Sequence, residues 1–408
     1  MLYFKKQELA ETYHVADKTV SNWIKESMLG KLDLALYEKN GRSWIANTTS
    51  NRALIEQLIE KRKKFRNSRG NKTVNPKAKF YNLFSQKQIF DIASNLDIRR
   101  EIPFQYGYFD CGATYWDKYA QRLASETHPN FLNSTILQLR TSRDYIDHLT
   151  SQYNKVNVID IGPGNAMPAR DLLEHFVRQD RLGRYIAVDI SPAMLKIAKK
   201  NISKWFGGSV PYQGYEADIN YDRFVDLIAQ DTIGESAKDS VNLVLALGGT
   251  FANLRSQDGA FKIIHDSMNR DDILVYNLKL DSAVARQYFD FGIGEKTPLM
   301  DPQAQIMLDM LNIDESFYES EMGFDTQLRE RYTRIRLKIA LTIDFEFEKG
   351  KRAVEFNKND TVLLWRYWHK NVTEVVGQLN RNDFDVLQTT ITDDRDYLLV
   401  VARLKSER

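Results

Sequence analysis

The sequence predicts an α/β protein in which a doubly wound, mostly parallel sheet fills most of the chain, preceded by a small basic helical domain. Three observations predict it. From Lys155 onward, short apolar runs rich in β-branched residues alternate with amphipathic helical segments, the pattern of parallel strands joined by helices. The first of these runs ends in a glycine-rich turn, Gly162-Pro163-Gly164. The positive charge is concentrated at one end: residues 1–72 hold 15 Lys/Arg against 8 Asp/Glu, and the remainder holds 42 against 47.

The elements follow in chain order. Residues 5–13 carry Leu9, Ala10 and Tyr13 at helical spacing. Asp17 is placed to cap a second helix running to about residue 27, with Val20, Trp23 and Ile24 on one face. Residues 32–37 and 43–45 flank Glu38-Lys39-Asn40-Gly41-Arg42, whose Asn-Gly pair is a strong hairpin signal, so a small wing is expected. A third helix, residues 51–65, ends in the run Lys61-Arg62-Lys63-Lys64, and the polar stretch 67–78 reads as a linker. This order of helix, turn, helix, wing, helix resembles the winged helix-turn-helix domains of the MerR and excisionase kind. The resemblance implies that residues 1–66 bind DNA through Lys18, Thr19, Ser21, Asn22 and Lys25 on the exposed face of the second helix and Arg42 on the wing.

Residues 79–150 read as a helical cap region with an aromatic interruption, Phe104-Gln105-Tyr106-Gly107-Tyr108-Phe109, followed by Tyr115-Trp116-Asp117-Lys118-Tyr119. Residues 151–408 are then the α/β core. Its first strand, residues 156–161, runs through the glycine turn into a helix from Arg170; glycines let the backbone approach a ligand, and a helix N-terminus offers free N–H groups. The second strand, 185–188, ends in Asp189, where an acid can accept both ribose hydroxyls, and Ser191-Pro192 opens the next helix. A third element, 215–219, ends in Asp218-Ile219, and a fourth, 241–247, runs into Gly248-Gly249-Thr250. Four strand ends therefore converge on one crevice.

Asp160-Ile161-Gly162-Pro163-Gly164, Val188-Asp189-Ile190-Ser191 and Ala217-Asp218-Ile219 resemble the first three signature motifs of class I S-adenosylmethionine methyltransferases. The resemblance covers about residues 140–405 and implies a Rossmann-like, seven-stranded sheet. It further implies that Gly162 and Gly164 approach the methionine portion of the cofactor, that Asp160 positions its ammonium and that Asp189 binds the ribose. Asp218 then takes the adenine amino group, and Gly248 lines the same crevice. A nicotinamide dehydrogenase shares the acid after the second strand, but its fingerprint needs a third glycine where this chain has Met167 followed by Pro168.

Leu247-Gly248-Gly249-Thr250-Phe251-Ala252-Asn253-Leu254 resembles the acceptor motif of the histidine-specific Nα-methyltransferases of ergothioneine biosynthesis. By that resemblance Asn253 contacts the amino group of the acceptor, with Tyr106 and Tyr108, upstream of the first strand, capping the pocket; Tyr115 is a further candidate. Residues 335–347, a turn at Lys349-Gly350, residues 360–368, a helix at 371–379 and strands near 386–391 and 397–404 match the family's closing order. Where that family carries an imidazole-binding carboxylate and serine, this chain has Leu364-Trp365-Arg366-Tyr367-Trp368-His369, and residues 301–310 hold no tyrosine. The expectation is N-methylation of an amino acid or small amine. Methyl transfer from a sulfonium is an in-line displacement, so orienting the acceptor lone pair and excluding water suffice, without a nucleophile or a metal.

Composition bounds the rest. At 408 residues, 43% hydrophobic and 27% charged, the chain is an ordinary globular one. A single cysteine, Cys111, leaves no disulfide and no zinc cluster and fits a reducing, cytoplasmic setting. The first residues have no apolar signal-peptide core, and no apolar run is long enough to span a bilayer. Two other functions fit parts of the sequence: a nucleic-acid methyltransferase guided by residues 1–66, and a transcription regulator that senses a ligand through the α/β domain. Against the first, amino-directed DNA methyltransferases carry an Asp/Asn-Pro-Pro-Tyr motif where this chain has Gly248-Gly249-Thr250-Phe251.

Overall fold

A computed structural model describes residues 3–13, 15, 17–28, 32–39, 41–68, 71–225, 239–282 and 302–406. It separates into two units, Met1–Thr73 with Ile339–Leu341, and Val74–Lys338 with Thr342–Arg408.

In the first unit, α1 (Lys6–Thr12) and α2 (Asp17–Met28) precede an antiparallel hairpin of β1 (Leu36–Lys39) and β2 (Arg42–Ile45), then α3 (Thr49–Ser68) and β3 (Asn71–Val74). Leu9, Ala10, Val20, Trp23, Leu34, Ile45 and Ile55 form its core. One polar residue pins the hairpin to α3: the buried Asn51 side chain accepts from the Ala35 amide (3.0 Å) and donates to the carbonyls of Ala35 and Ala46 (both 2.8 Å). Lys18, Asn22 and Lys25 lie exposed on α2 and Arg42 on the hairpin, as expected. Thr19 does not. It is buried with Val20 and Trp23, because a position four residues before Trp23 falls on the same helix face. Asn40 of the expected turn and the side chains of the basic run 61–64 lie outside the described residues.

The second unit opens with α4 (Ala78–Leu83), α5 (Gln86–Arg99), a 3-10 turn at Phe104–Tyr108, α6 (Cys111–Ser125) and α7 (Phe131–Thr150). Then strands and helices alternate: β4 (Lys155–Ile161), α8 (Arg170–Arg178), β5 (Leu182–Asp189), α9 (Pro192–Phe206), β6 (Tyr212–Glu216), β7 (Ser240–Ala246), α10 (Thr250–Asn253), α11 (Gln257–Ser267) and β8 (Ile273–Lys279). After α12 (Pro302–Met310) come β9 (Tyr318–Asp325), β10 (Glu330–Leu337), β11 (Ala340–Phe347), β12 (Gly350–Phe356), β13 (Thr361–Trp368), α13 (Val372–Arg381), β14 (Phe384–Ile391) and β15 (Tyr397–Leu404).

Seven strands form the main sheet in the order β14-β15-β8-β7-β4-β5-β6. β8, β7, β4, β5 and β6 are parallel, and β15 runs antiparallel to both neighbours. Strand order reverses between β4 and β7, and in a doubly wound sheet a crevice opens beyond the carboxyl ends at that point. The sheet buries one apolar layer on each face, one built around Ile159, Val244 and Phe261 and the other around Val158, Leu243 and Leu173. Polar pins fix α7 on it: the Gln138 amide donates to the carbonyls of Thr390 (2.9 Å) and Tyr397 (3.0 Å), and the Thr135 hydroxyl donates to Asn277 Oδ1 (2.8 Å).

Two expectations need adjusting. Residues 335–347 are not one strand: the chain bends at 338–339 and passes from β10, which pairs with β9 and β13, to β11, a neighbour of β12. The apolar alternation runs through the bend and hides it. The third strand also ends earlier, at Glu216, leaving Asp218 in the loop beyond it. Among the described residues no helix is long and apolar enough to cross a membrane.

Candidate active site

Beyond the carboxyl ends of β4, β5, β6 and β7 lies a cleft. Its floor begins where β4 runs out. Gly162 and Gly164 have φ of +63° and +55°, where side chains are disfavoured. Space is short as well: a Cβ on Gly162 would lie 3.0 Å from the Thr250 side chain, and one on Gly164 would lie 2.9 Å from Trp116 Nε1. The turn is held from below by Asn165, a buried residue the sequence reading passed over. Its amide donates to Asp117 Oδ1 (2.9 Å), and Asn201 donates to its carbonyl (3.0 Å).

Three carboxylates surround this floor. Asp189 ends β5 and accepts from the Ser191 amide (2.8 Å); burial nevertheless pushes its carboxyl up to about 7. Asp218 lines the cleft from the loop after β6. Burial raises its pKa, opposed by the amide and side chain of Asn220, which donate to Oδ1 at 2.9 and 2.7 Å. Asp160 is 2% exposed, accepts from the Tyr185 hydroxyl (2.7 Å) and is also pushed by burial to about 7. Asp160 lines a smaller hollow that shares Gly162, Gly164, Trp116, Gly248 and Thr250 with the main cleft. The sequence-predicted Gly162, Gly164, Asp189, Asp218 and Gly248 therefore meet in one cleft, and Asp160 sits directly behind them.

The opposite wall starts at β7. Gly248 and Gly249, with φ of +72° and +86°, turn the chain into the single helical turn α10. Asn253, the last residue of that turn, lines the cleft, and its Oδ1 is buried without a hydrogen-bond partner. It does not cap the following helix: Ser256 does, its hydroxyl accepting from the Gly259 amide (3.2 Å). Phe104, Gln105, Tyr108 and Trp116 complete the wall. Tyr108 meets Trp116 and Phe104 edge-on at 5.6 and 5.2 Å, and the Ser191 hydroxyl donates to the Tyr108 carbonyl (2.8 Å), tying this aromatic segment to the start of α9. Trp116 was legible only as one of several aromatics; its role under Gly164 depends on a contact that spacing does not encode.

Other expected residues are placed elsewhere. Tyr106 is buried, does not line the cleft and donates its hydroxyl to Asp91 Oδ2 (2.9 Å). Tyr115 stays outside as well. His369 is 2% exposed, packs against Tyr367 and Phe324, and is held at about 4 by burial, so it remains neutral. Arg366 pairs with Glu101 and, at 3.3 Å, with Glu330.

The family described as histidine-specific methyltransferase, S-adenosylmethionine-dependent, matches residues 89–404. No curated protein matches the chain. Similar solved structures include an S-adenosylmethionine-dependent methyltransferase from Clostridium acetobutylicum, 9% identical over 73% of this chain and 100% of that one, with a TM-score of 0.40. Another is the CcbJ methyltransferase from Streptomyces caelestis, 10% identical over 74% of this chain and 99% of that one, with a TM-score of 0.37. A third is magnesium protoporphyrin IX methyltransferase from Synechocystis, 13% identical over 74% and 98%, with a TM-score of 0.38.

Proposed function

Since this chain belongs to the family of histidine-specific, S-adenosylmethionine-dependent methyltransferases, we propose that its methyl acceptor is the amino nitrogen of an amino acid or small amine and that Asn253 orients it. The observation that carries this reading is that Asn253 lines the cleft while its buried Oδ1 makes no hydrogen bond within the protein. A buried acceptor without a partner costs about 1–3 kcal/mol, which a ligand N–H can recover.

The residues suit the cofactor. Positive φ and close neighbours disfavour any side chain at 162 and 164, so the backbone can lie against a ligand there. Asp189 presents an acceptor for the ribose hydroxyls, Asp218 one for the adenine amino group, and Asp160 a buried negative charge behind the glycine turn for the ammonium. When bound, S-adenosylmethionine supplies an electrophilic methyl group. The chain's own contribution is alignment and exclusion of water. If Asn253 Oδ1 accepts one N–H of a neutral amine, the nitrogen lone pair is turned away from Asn253. Phe104, Tyr108 and Trp116 keep water from the acceptor. An amide suits this task better than a carboxylate, which would hold the amine in its unreactive charged form. Incubation with labelled S-adenosylmethionine and a panel of amino acids, small amines and DNA tests the reading: label on an amino nitrogen supports it, and label on DNA alone overturns it.

A second proposal concerns residues 1–66, read as a winged helix-turn-helix that binds DNA. It rests on the excess of positive charge in residues 1–72 and on exposed Lys18, Asn22, Lys25 and Arg42. Thr19 is left out, being buried. Titration of the full chain with duplex DNA at several salt concentrations tests this proposal.

A further inference from the structure

We propose that Asp91 is a positioning residue for methyl transfer, fastening the cofactor wall and the acceptor wall of the cleft to one helix. The proposal rests on the reading of that cleft as the methyl-transfer site. Asp91 lies in α5, which contributes no side chain to the cleft lining. Its two carboxylate oxygens nevertheless reach both walls. Oδ2 accepts the Tyr106 hydroxyl at 2.9 Å, and Oδ1 accepts the Tyr221 hydroxyl at 3.3 Å.

Each tyrosine stands beside residues that face the ligand. Tyr106 sits in the turn whose Phe104, Gln105 and Tyr108 line the acceptor side, and Tyr221 follows Asp218, Ile219 and Asn220 on the cofactor side. The Tyr221 amide also donates to the Asp218 carbonyl (2.8 Å), so the two move together. A third tie comes through Asn95, one helical turn along α5. Its amide donates to Asp91 Oδ1 (3.0 Å), while its own Oδ1 accepts from Arg255 (2.9 Å), two residues past Asn253. Asp91, Tyr106 and Tyr221 also line a second hollow, which adjoins the cleft at Ile190, Ala217 and Asp218. The carboxylate thus braces the layer between the two spaces. A carboxylate is suited to the task because it only accepts, and it can take two phenols at once.

The test uses the full chain, titration with S-adenosylhomocysteine, and amide hydrogen exchange. In Asp91→Ala, affinity should fall about three- to ten-fold, the worth of one or two hydrogen bonds. Exchange should quicken in residues 104–108 and 218–222 and stay unchanged in β4 and β5. Tyr221→Phe should quicken only 218–222 and weaken binding; Tyr106→Phe should quicken only 104–108 and leave binding intact. Asp91→Asn, whose amide oxygen can still accept one phenol, should recover part of the loss. Unchanged affinity and exchange in Asp91→Ala, or quickening spread evenly through the unit, would overturn the proposal. Should Asp91→Ala fail to fold, the tyrosine variants decide: confined, separate effects support it, and shared or absent effects overturn it. Failure of the wild-type chain to bind S-adenosylhomocysteine would refute the reading of the cleft and this proposal with it, whereas wild-type binding with indifferent variants would refute Asp91 alone.

Discussion

Replacing Asn253 with leucine separates a residue kept for chemistry from one kept for the fold. In the free protein Asn253 Oδ1 is buried without a partner, a condition that costs about 1–3 kcal/mol. Leucine has nearly the same volume and no polar atom, so Asn253→Leu should stabilise the unliganded protein by about that amount. The methyltransferase unit has about 330 residues. At about 2.1 cal/mol/K per residue its unfolding entropy is about 0.7 kcal/mol/K, and the melting temperature should rise by about 1.5–4 °C. Turnover should move the other way. Loss of the bond that aims the amine should lower kcat/KM by about ten- to a hundred-fold, with S-adenosylmethionine affinity unchanged, because Asp189 at the end of β5 and Asp218 in the loop after β6 lie apart from α10. Calorimetry of the free protein and release of S-adenosylhomocysteine with the accepting amine measure the two effects. A variant that melts lower and keeps its turnover would refute the reasoning, since it would make Asn253 a structural residue.

Asp189→Ala should weaken S-adenosylmethionine by roughly 1.5–3 kcal/mol in calorimetric titration, an acceptor for two hydroxyls being lost. Burial holds the Asp189 and Asp160 carboxyls near 7 in the free protein, so if their ionised forms hold the cofactor as proposed, affinity should be full above pH 7 and decline as pH falls through it, by up to about tenfold per pH unit for each coupled proton. The sign for stability is opposite: because these pKa values are raised above their unfolded values, the cofactor-free protein should lose the associated stability as pH rises from 4 through 7, so the melting shift on adding S-adenosylhomocysteine should be larger at pH 8 than at pH 6. Gly164→Ala places a methyl 2.9 Å from Trp116 Nε1 at a φ of +55°, and should shift tryptophan emission and weaken cofactor binding together. For the first unit, Lys18→Ala with Lys25→Ala should reduce the salt dependence of DNA binding in the full chain; an unaltered slope would remove α2 from the interface.

Much of the α/β core was legible because its signals are local. A β-branched run, a glycine turn and an acid at the next strand end each lie within a few residues, and each was found where the sheet places it. What escaped depends on partners distant in sequence. Nothing near Tyr106 announces Asp91, 15 positions earlier, so an aromatic in a pocket-capping stretch was read as facing the ligand when its hydroxyl turns back to a helix. Thr19 was assigned outward for its polarity, although its position relative to Trp23 turns it inward. The bend between β10 and β11 was invisible because apolar alternation does not report which sheet a strand joins. Asn253 was found by motif, but its lack of a partner could only be seen once the surrounding backbone was in place.

The position of β15 bears on how the chain is made. It is the last strand in chain order among the described residues, yet it lies between β8 and β14 rather than at an edge. Asn277 and Leu398, which meet across that seam, are 121 positions apart. During synthesis β8, all seven of whose residues are buried in the finished sheet, must therefore wait with one side open while more than a hundred further residues leave the ribosome. An interrupted translation product ending before Tyr397 would carry every cofactor-binding motif and still present a bare apolar edge, the template on which chains aggregate.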